Sequence, residues 1–312
     1  MTTNLAETKF TSALGRVEQL ISRVACLGAL ILISATASAQ NLFVSGTDAH
    51  GGAIFKFAWD GGQSIFASGL IDPWDVAFDA AGNLYVVDYD RSGLLGNTVI
   101  QKIAPNGART TLASGLSYPC HLAVDRAGNV FVADYDHGVI YEYKPTGSRA
   151  IFATGLHHPV GLVFDSLGKL FVADNSAGMY QGHIYEYKPN GSRAIAAVLD
   201  ASDRPADLAF DSMGNLLMAD LGGNVYRYNL AGVLRRHLRT IVGSVPNSAQ
   251  SLALDSAGNL FVVDAGGVNS GSAGPNAIYK FTQQGLRSTF AVGSALDESF
   301  ACLAFQPIPC CE

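Results

Sequence analysis

The segment at residues 125–134, DRAGNVFVAD, decides the architecture. A turn-forming Asp-x-x-Gly-Asn runs directly into a short apolar stretch, which ends on a second aspartate. Four further copies follow the same plan: residues 79–88 (DAAGNLYVVD), 165–174 (DSLGKLFVAD), 211–220 (DSMGNLLMAD) and 255–264 (DSAGNLFVVD). Residues 41–45 (NLFVS) form a degenerate sixth copy. Successive copies start 40 to 46 residues apart, the period expected of propeller blades.

Working outward from the repeat, each unit resolves into four strands. An apolar run precedes every copy: VAF at 76–78, LAV at 122–124, LVF at 162–164, LAF at 208–210, LAL at 252–254 and LAF at 303–305. Runs that are apolar on both faces suit a strand A buried between neighbouring sheets. Asp-x-x-Gly-Asn is then the A–B hairpin turn, and the LYVV-type run is strand B. Strand C alternates, as in Ile140-Tyr141-Glu142-Tyr143 and Ile184-Tyr185-Glu186-Tyr187. Pro105-Asn106-Gly107, Pro145-Thr146-Gly147 and Pro189-Asn190-Gly191 are C–D turns, and strand D is outermost. The expected fold is all-β: a six-bladed β-propeller of four-stranded antiparallel blades. The chain enters on strand B and leaves on strand A. The closing blade is therefore composite, with strands B, C and D from residues 42–67 and strand A from residues 301–306. Such closure protects the sheet edges.

Composition agrees with this reading. Of the 312 residues, 34 are glycine and only 15% are charged, while 48% are hydrophobic. That balance describes a large core with many tight turns, not a disordered chain. The formal charge of −6 lacks the basic footprint of nucleic-acid binders. The N-terminus reads as a secretory leader. Lys9, Arg16 and Arg23 form its basic region, residues 25–33 its apolar core, and Ala37-Ser38-Ala39 its cleavage pattern. The expected domains are a leader at 1–39, a propeller at 40–307 and a tail at 308–312. The expected location is secreted or periplasmic, with the mature chain starting at Gln40, no membrane span after leader removal, and a monomeric state. Residues 1–39 hold three basic and two acidic residues, so the mature charge is −7. In such a compartment Cys302 is a candidate for pairing with Cys310 or Cys311.

Residues 115–119 (GLSYP), 122–125 (LAVD) and 128–134 (GNVFVAD) resemble the NHL repeat. The repeats are also similar to those of the gluconolactonase/regucalcin propellers. That resemblance implies divalent-metal ligands directly after the strand-A proline, with a glutamate near the first blade. The residues at those positions here are Trp74, Cys120, Val160 and Ala206. The six-bladed virginiamycin B lyases place a catalytic histidine after the proline; here His121 stands one position later, behind Cys120.

In a repeat, residues shared by all blades serve the fold, and those that break the pattern are functional candidates. Asp88, Asp134, Asp174, Asp220 and Asp264 end strand B in each repeat, where a carboxylate can accept backbone N–H groups and order the B–C turn. The pattern breakers are Trp74, Asp75, Tyr89, Asp90, His121, Asp136, His137, Asp207, Gln250, and Asp48 with His50. Trp74, Asp75, Tyr89, His121, Tyr135 and His137 are the ligand-binding candidates, on the face carrying the D–A and B–C loops. Asp88-Tyr89-Asp90-Arg91-Ser92-Gly93 opens like a calcium loop, but Val99 replaces its twelfth-position glutamate. Asp88, Asp90, Asp134 and Asp136 are the metal candidates, for Ca²⁺, Mg²⁺ or Zn²⁺. His157-His158 reads as a surface loop, and Arg235, Arg236, His237 and Arg239 as a solvated rim.

No nucleophile elbow, P-loop, dinucleotide fingerprint or zinc-type Cys/His spacing is present. Two function classes remain. One is an exported binding or scaffold protein whose partner is a saccharide, small molecule or protein surface. The other is a divalent-metal hydrolase or lyase acting on a sugar lactone or related ester, with His121 as its base.

Overall fold

The computed structural model describes residues 40–48, 51–59, 62–90, 98–175, 182–230, 239–266, 276–292 and 302–307. The leader, His50, residues 235–237, Cys310 and Cys311 lie outside these. The described residues form twenty-four strands in six four-stranded antiparallel sheets, and none of their helices is long and apolar enough to cross a membrane.

From the innermost strand outward, blade 2 is β4 (Pro73–Phe78), β5 (Leu84–Asp88), β6 (Val99–Ile103) and β7 (Arg109–Ser114). Blade 3 is β8 (Pro119–Val124), β9 (Val130–Asp134), β10 (Val139–Tyr143) and β11 (Arg149–Ala153). Blade 4 is β12 (Pro159–Phe164), β13 (Leu170–Asp174), β14 (His183–Tyr187) and β15 (Arg193–Val198). Blade 5 is β16 (Pro205–Phe210), β17 (Leu216–Asp220), β18 (Asn224–Tyr228) and β19 (Arg239–Ser244). Blade 6 is β20 (Ala249–Leu254), β21 (Leu260–Asp264), β22 (Ala277–Phe281) and β23 (Arg287–Val292). Blade 1 joins β24 (Leu303–Phe305) to β1 (Leu42–Asp48), β2 (Gly51–Phe57) and β3 (Gln63–Leu70).

The second strand of blades 2 to 6 is buried along its whole length, and the outermost strand starts exposed in every blade but blade 5, where Arg239 is half-buried. Blades grip each other through a recurring aromatic contact. A phenylalanine on the second strand of one blade meets, edge to face, a phenylalanine on the innermost strand of the next. Phe43–Phe78, Phe131–Phe164, Phe171–Phe210 and Phe261–Phe305 all have ring centroids 4.9–5.0 Å apart. This geometry favours the ring quadrupoles and adds to the burial of each pair.

The A–B turns close as their sequence requires. In the turns at Asp79, Asp125, Asp165 and Asp211 the aspartate Oδ1 accepts two backbone N–H groups, as Asp125 does from Ala127 and Asn129. The glycine takes a left-handed φ, +79° at Gly128, where any side chain would be strained. The aspartates that end the second strands behave differently from expectation. Asp88 accepts from Ile71 and Asp72, Asp174 from His157 and His158, and Asp264 from Asn247 and Ser248. Asp220 accepts from Arg204 and Gly222. These carboxylates order the D–A loop that enters their own blade. Asp134 instead accepts the His137 N–H of its B–C turn. The antiparallel A–B pairing places the end of strand B beside the start of strand A, so the carboxylate reaches across the sheet. Arg239 is not a free rim charge: it pairs with Asp200 at 2.6 Å and with Asp203, and lies over Tyr226.

Candidate functional site

The innermost strands carry a backbone irregularity near their start. The register shifts between Pro73 and Val76, Pro119 and His121, Val160 and Leu162, Pro205 and Asp207, and Ala249 and Ser251. Bulges of this kind re-aim side chains. Here they occur around the channel mouth on the face of the D–A and B–C loops.

A cavity of about 260 Å³ opens at that mouth. Trp74, Cys120, Val160, Ala206, Gln250 and Cys302 all line it, one residue from each blade. The first five are the second residues of their innermost strands, whereas Cys302 directly precedes β24 and stands in register with Asp75 and His121. His121 adds an imidazole, while Tyr118, Tyr135, Asn175 and Leu221 come from the surrounding loops. The volume lies just below the roughly 300–1,000 Å³ typical of sites for drug-sized ligands, which suits a compact molecule.

An aromatic arc builds one side of the mouth. Trp74 is buried and stacks on Tyr89 at 4.5 Å, and its Nε1–H donates to Asp72 Oδ2 at 2.9 Å. Tyr118 meets both rings edge-on and leans on Tyr135. Tyr135 in turn stacks on His158 at 4.4 Å. His158 therefore belongs to the arc, not to a free surface loop, whereas its neighbour His157 is exposed.

Beside Trp74 sits Asp75. Its Oδ2 accepts the Leu122 N–H of the next blade at 2.6 Å and lies 3.6 Å from His121 Nδ1. Burial pushes the Asp75 carboxyl up to about 6; the nearby His121 opposes this, and the Asp207 carboxylate adds to it. Asp207 makes the equivalent link between blades 5 and 6, accepting from Leu252 N–H at 3.0 Å and Ser251 Oγ at 2.8 Å. The Cys120 and Cys302 thiols are free and buried, and burial pushes both up. Such thiols are poor nucleophiles.

The candidates separate accordingly. Trp74, His121 and Tyr135 line the cavity, with Asp75 against His121 and Tyr89 behind Trp74. His137 is exposed and turned to Asp134, with Nδ1 3.0 Å from Oδ1. Asp136 is exposed, and the Asp90 N–H donates to Thr98 Oγ1 at 3.3 Å. Asp88 and Asp134 are buried and spend their oxygens on N–H groups of the adjoining loops. Among the described residues, no three His, Cys, Asp or Glu side chains come together as a metal ion requires. The donor set of the described residues does not fit a divalent cation.

Tyr118, Gln250 and Cys302 complete the wall. Gln250 already marks a break in the repeat, whereas the signal for Cys302 was positional. Blades 2 to 5 mark the lining residue with a preceding proline, but blade 6 has Ala249 in its place, and in blade 1 the lining Cys302 stands one position further along the repeat.

No protein-family model matches the chain, and no curated protein matches it. Solved structures share its fold. A gluconolactonase from Xanthomonas campestris is 21% identical, with a TM-score of 0.56 over 72% of this chain and 84% of its own. Virginiamycin B lyase from Staphylococcus aureus is 14% identical, with a TM-score of 0.52 over 70% of this chain and 69% of its own. A Bacteroides caccae protein of unknown function is 18% identical, with a TM-score of 0.55 over 85% of this chain and 99% of its own.

Proposed function

We propose that the chain is an exported propeller that binds a compact organic molecule, a saccharide ring among the candidates, at its channel mouth. The observation that carries this reading is the convergence of one lining residue from every blade on a single cavity walled by Trp74, Tyr118 and Tyr135. Aromatic walls with a few placed polar groups are the usual make-up of small-molecule sites. The chain has two tryptophans, and Trp59 is 71% exposed while Trp74 is buried in the wall. A Trp59→Phe protein therefore reports on the cavity alone. Titrating it with monosaccharides and small ring compounds should change Trp74 emission saturably. Trp74→Leu should abolish binding of the same compounds. If no compound gives a saturable change, the reading fails.

A second reading is favoured by the Asp75–His121 pair. A carboxyl raised to about 6 beside an imidazole is suited to moving protons near neutrality. The Staphylococcus aureus protein is a lyase and the Xanthomonas campestris protein a gluconolactonase. Hydrolysis or elimination at a lactone or related ester is the corresponding activity here. It should survive a chelator and disappear in both Asp75→Asn and His121→Asn. Activity lost to the chelator would instead restore a metal-dependent mechanism. Export itself is checked by N-terminal sequencing of secreted material, which should begin at Gln40.

A further inference from the structure

We propose that the channel-mouth cavity takes a protonated organic amine, whose N–H group donates to Gln250 Oε1 while its apolar body lies against Trp74. This rests on the small-molecule reading above and names the class of ligand. Three independent observations converge on it.

The first is an unused acceptor. Gln250 lines the cavity, is only 9% exposed, and its Oε1 has no hydrogen-bond partner among the described residues. A buried amide oxygen without a donor is costly and uncommon in a folded protein. It is satisfied at once by a ligand bearing N–H.

The second is charge. No lysine or arginine lines the cavity, so a carboxylate, phosphate or sulfonate would meet no lasting positive partner. Instead two carboxylates, Asp75 and Asp207, stand one residue beyond the lining residues Trp74 and Ala206. They are close enough for Asp207 to disfavour ionisation of Asp75. A cation in the adjoining cavity is favoured by both charges.

The third is the wall. Trp74, Tyr118 and Tyr135 line the cavity, and aromatic rings, with partial negative charge on their faces, are the usual partners of organic ammonium groups. A bare metal ion is a poorer occupant, because the described residues supply no cluster of three ligating side chains.

The test uses three probes of nearly equal shape: benzylamine, benzyl alcohol and benzoate. Each is titrated calorimetrically into the purified protein near neutral pH. Benzylamine should bind about tenfold or more tighter than benzyl alcohol, and benzoate should not bind measurably. Gln250→Leu should weaken benzylamine about tenfold, whereas Gln250→Glu, which keeps an acceptor of the same shape, should hold or strengthen it. Melting curves establish that both variants are folded. Equal or tighter binding of the alcohol or the acid overturns the amine assignment but leaves the cavity as a binding site. So does benzylamine binding unchanged by Gln250→Leu. If none of the three probes binds, both the assignment and the small-molecule reading fall.

Discussion

Asp75 illustrates a residue held in the fold at a cost. Burial raises its carboxyl from 3.8 to about 6, so folding favours the protonated form. The stability this provides is fully present below pH 3.8 and is lost as pH rises through 6. The loss is on the order of 3 kcal/mol. Asp75→Asn keeps an oxygen for the Leu122 N–H and removes the charge. The variant should match the parent near pH 4 and exceed it in denaturant midpoint above pH 6. An offset that does not change with pH would show that Asp75 ionises freely in the folded state. Asp174 makes the opposite case. Its carboxylate takes the N–H groups of both His157 and His158, so Asp174→Ala strands two donors, at roughly 1–3 kcal/mol each. Asp136 is exposed, and Asp136→Ala should stay within about 0.5 kcal/mol of the parent. Urea midpoints of the two variants decide the matter. The repeat already hinted at this contrast, since an aspartate stands at the Asp174 position in five of the six blades and Asp136 has no such counterparts. What it could not show was the partner: the donor N–H groups lie 16 and 17 residues back along the chain.

At the level of strands and turns, period and turn chemistry were legible because they are local. Asp-x-x-Gly fixes a hairpin wherever it occurs, and a fully apolar run can only be an inner strand. The bulges at the start of the inner strands were not legible, because they arise where neighbouring blades crowd the channel. Gly161 shows the crowding. Its φ is +28°, and a Cβ there would lie 3.1 Å from Asp207 Cα and Leu208 N of blade 5. Backbone cannot yield as a flexible side chain can. Gly161→Ala should therefore cost more than the roughly 1–2 kcal/mol of a left-handed alanine alone. Gly168, at φ +77° with nothing within 4 Å, supplies the control, and Gly168→Ala should cost only that backbone strain. Equal losses in the two variants, read from thermal unfolding, would mean that blades 4 and 5 can separate without penalty. The candidate site followed the same division. Trp74, His121 and Gln250 stood out because they break a repeat, whereas Cys302 matters through the ring it completes.

The whole molecule depends on three residues near its C-terminal end. β24 pairs with β1 in the register Leu42↔Phe305, Phe43↔Ala304 and Val44↔Leu303. Further hydrogen bonds extend the seam: Ser45 N–H to Cys302 O at 3.1 Å, Cys302 N–H to Ser45 Oγ at 2.9 Å, and Gln306 N–H to Asn41 O at 3.1 Å. The Leu303 N–H also donates to Ser251 Oγ of blade 6 at 3.1 Å. Phe305 packs edge to face on Phe261, repeating the contact that joins three other pairs of blades. Leu303 is buried and Phe305 half-buried; full burial of such side chains contributes about 1.5–3 kcal/mol each. Typical domain stabilities are about 5–15 kcal/mol, so this strand carries a large share. Its loss also exposes the inner strands β1 and β20 on either side, and each blade packs on two neighbours. Deleting residues 301–312 should therefore lower the melting temperature sharply or yield insoluble protein. Deleting residues 307–312 leaves Gln306 and the seam intact and should have little effect. The short deletion controls for loss of the tail itself, so the difference between the two reports on the strand. If the longer deletion melts with the full chain, blades 6 and 2 hold blade 1 in place without its innermost strand, and closure contributes little to the stability of the ring.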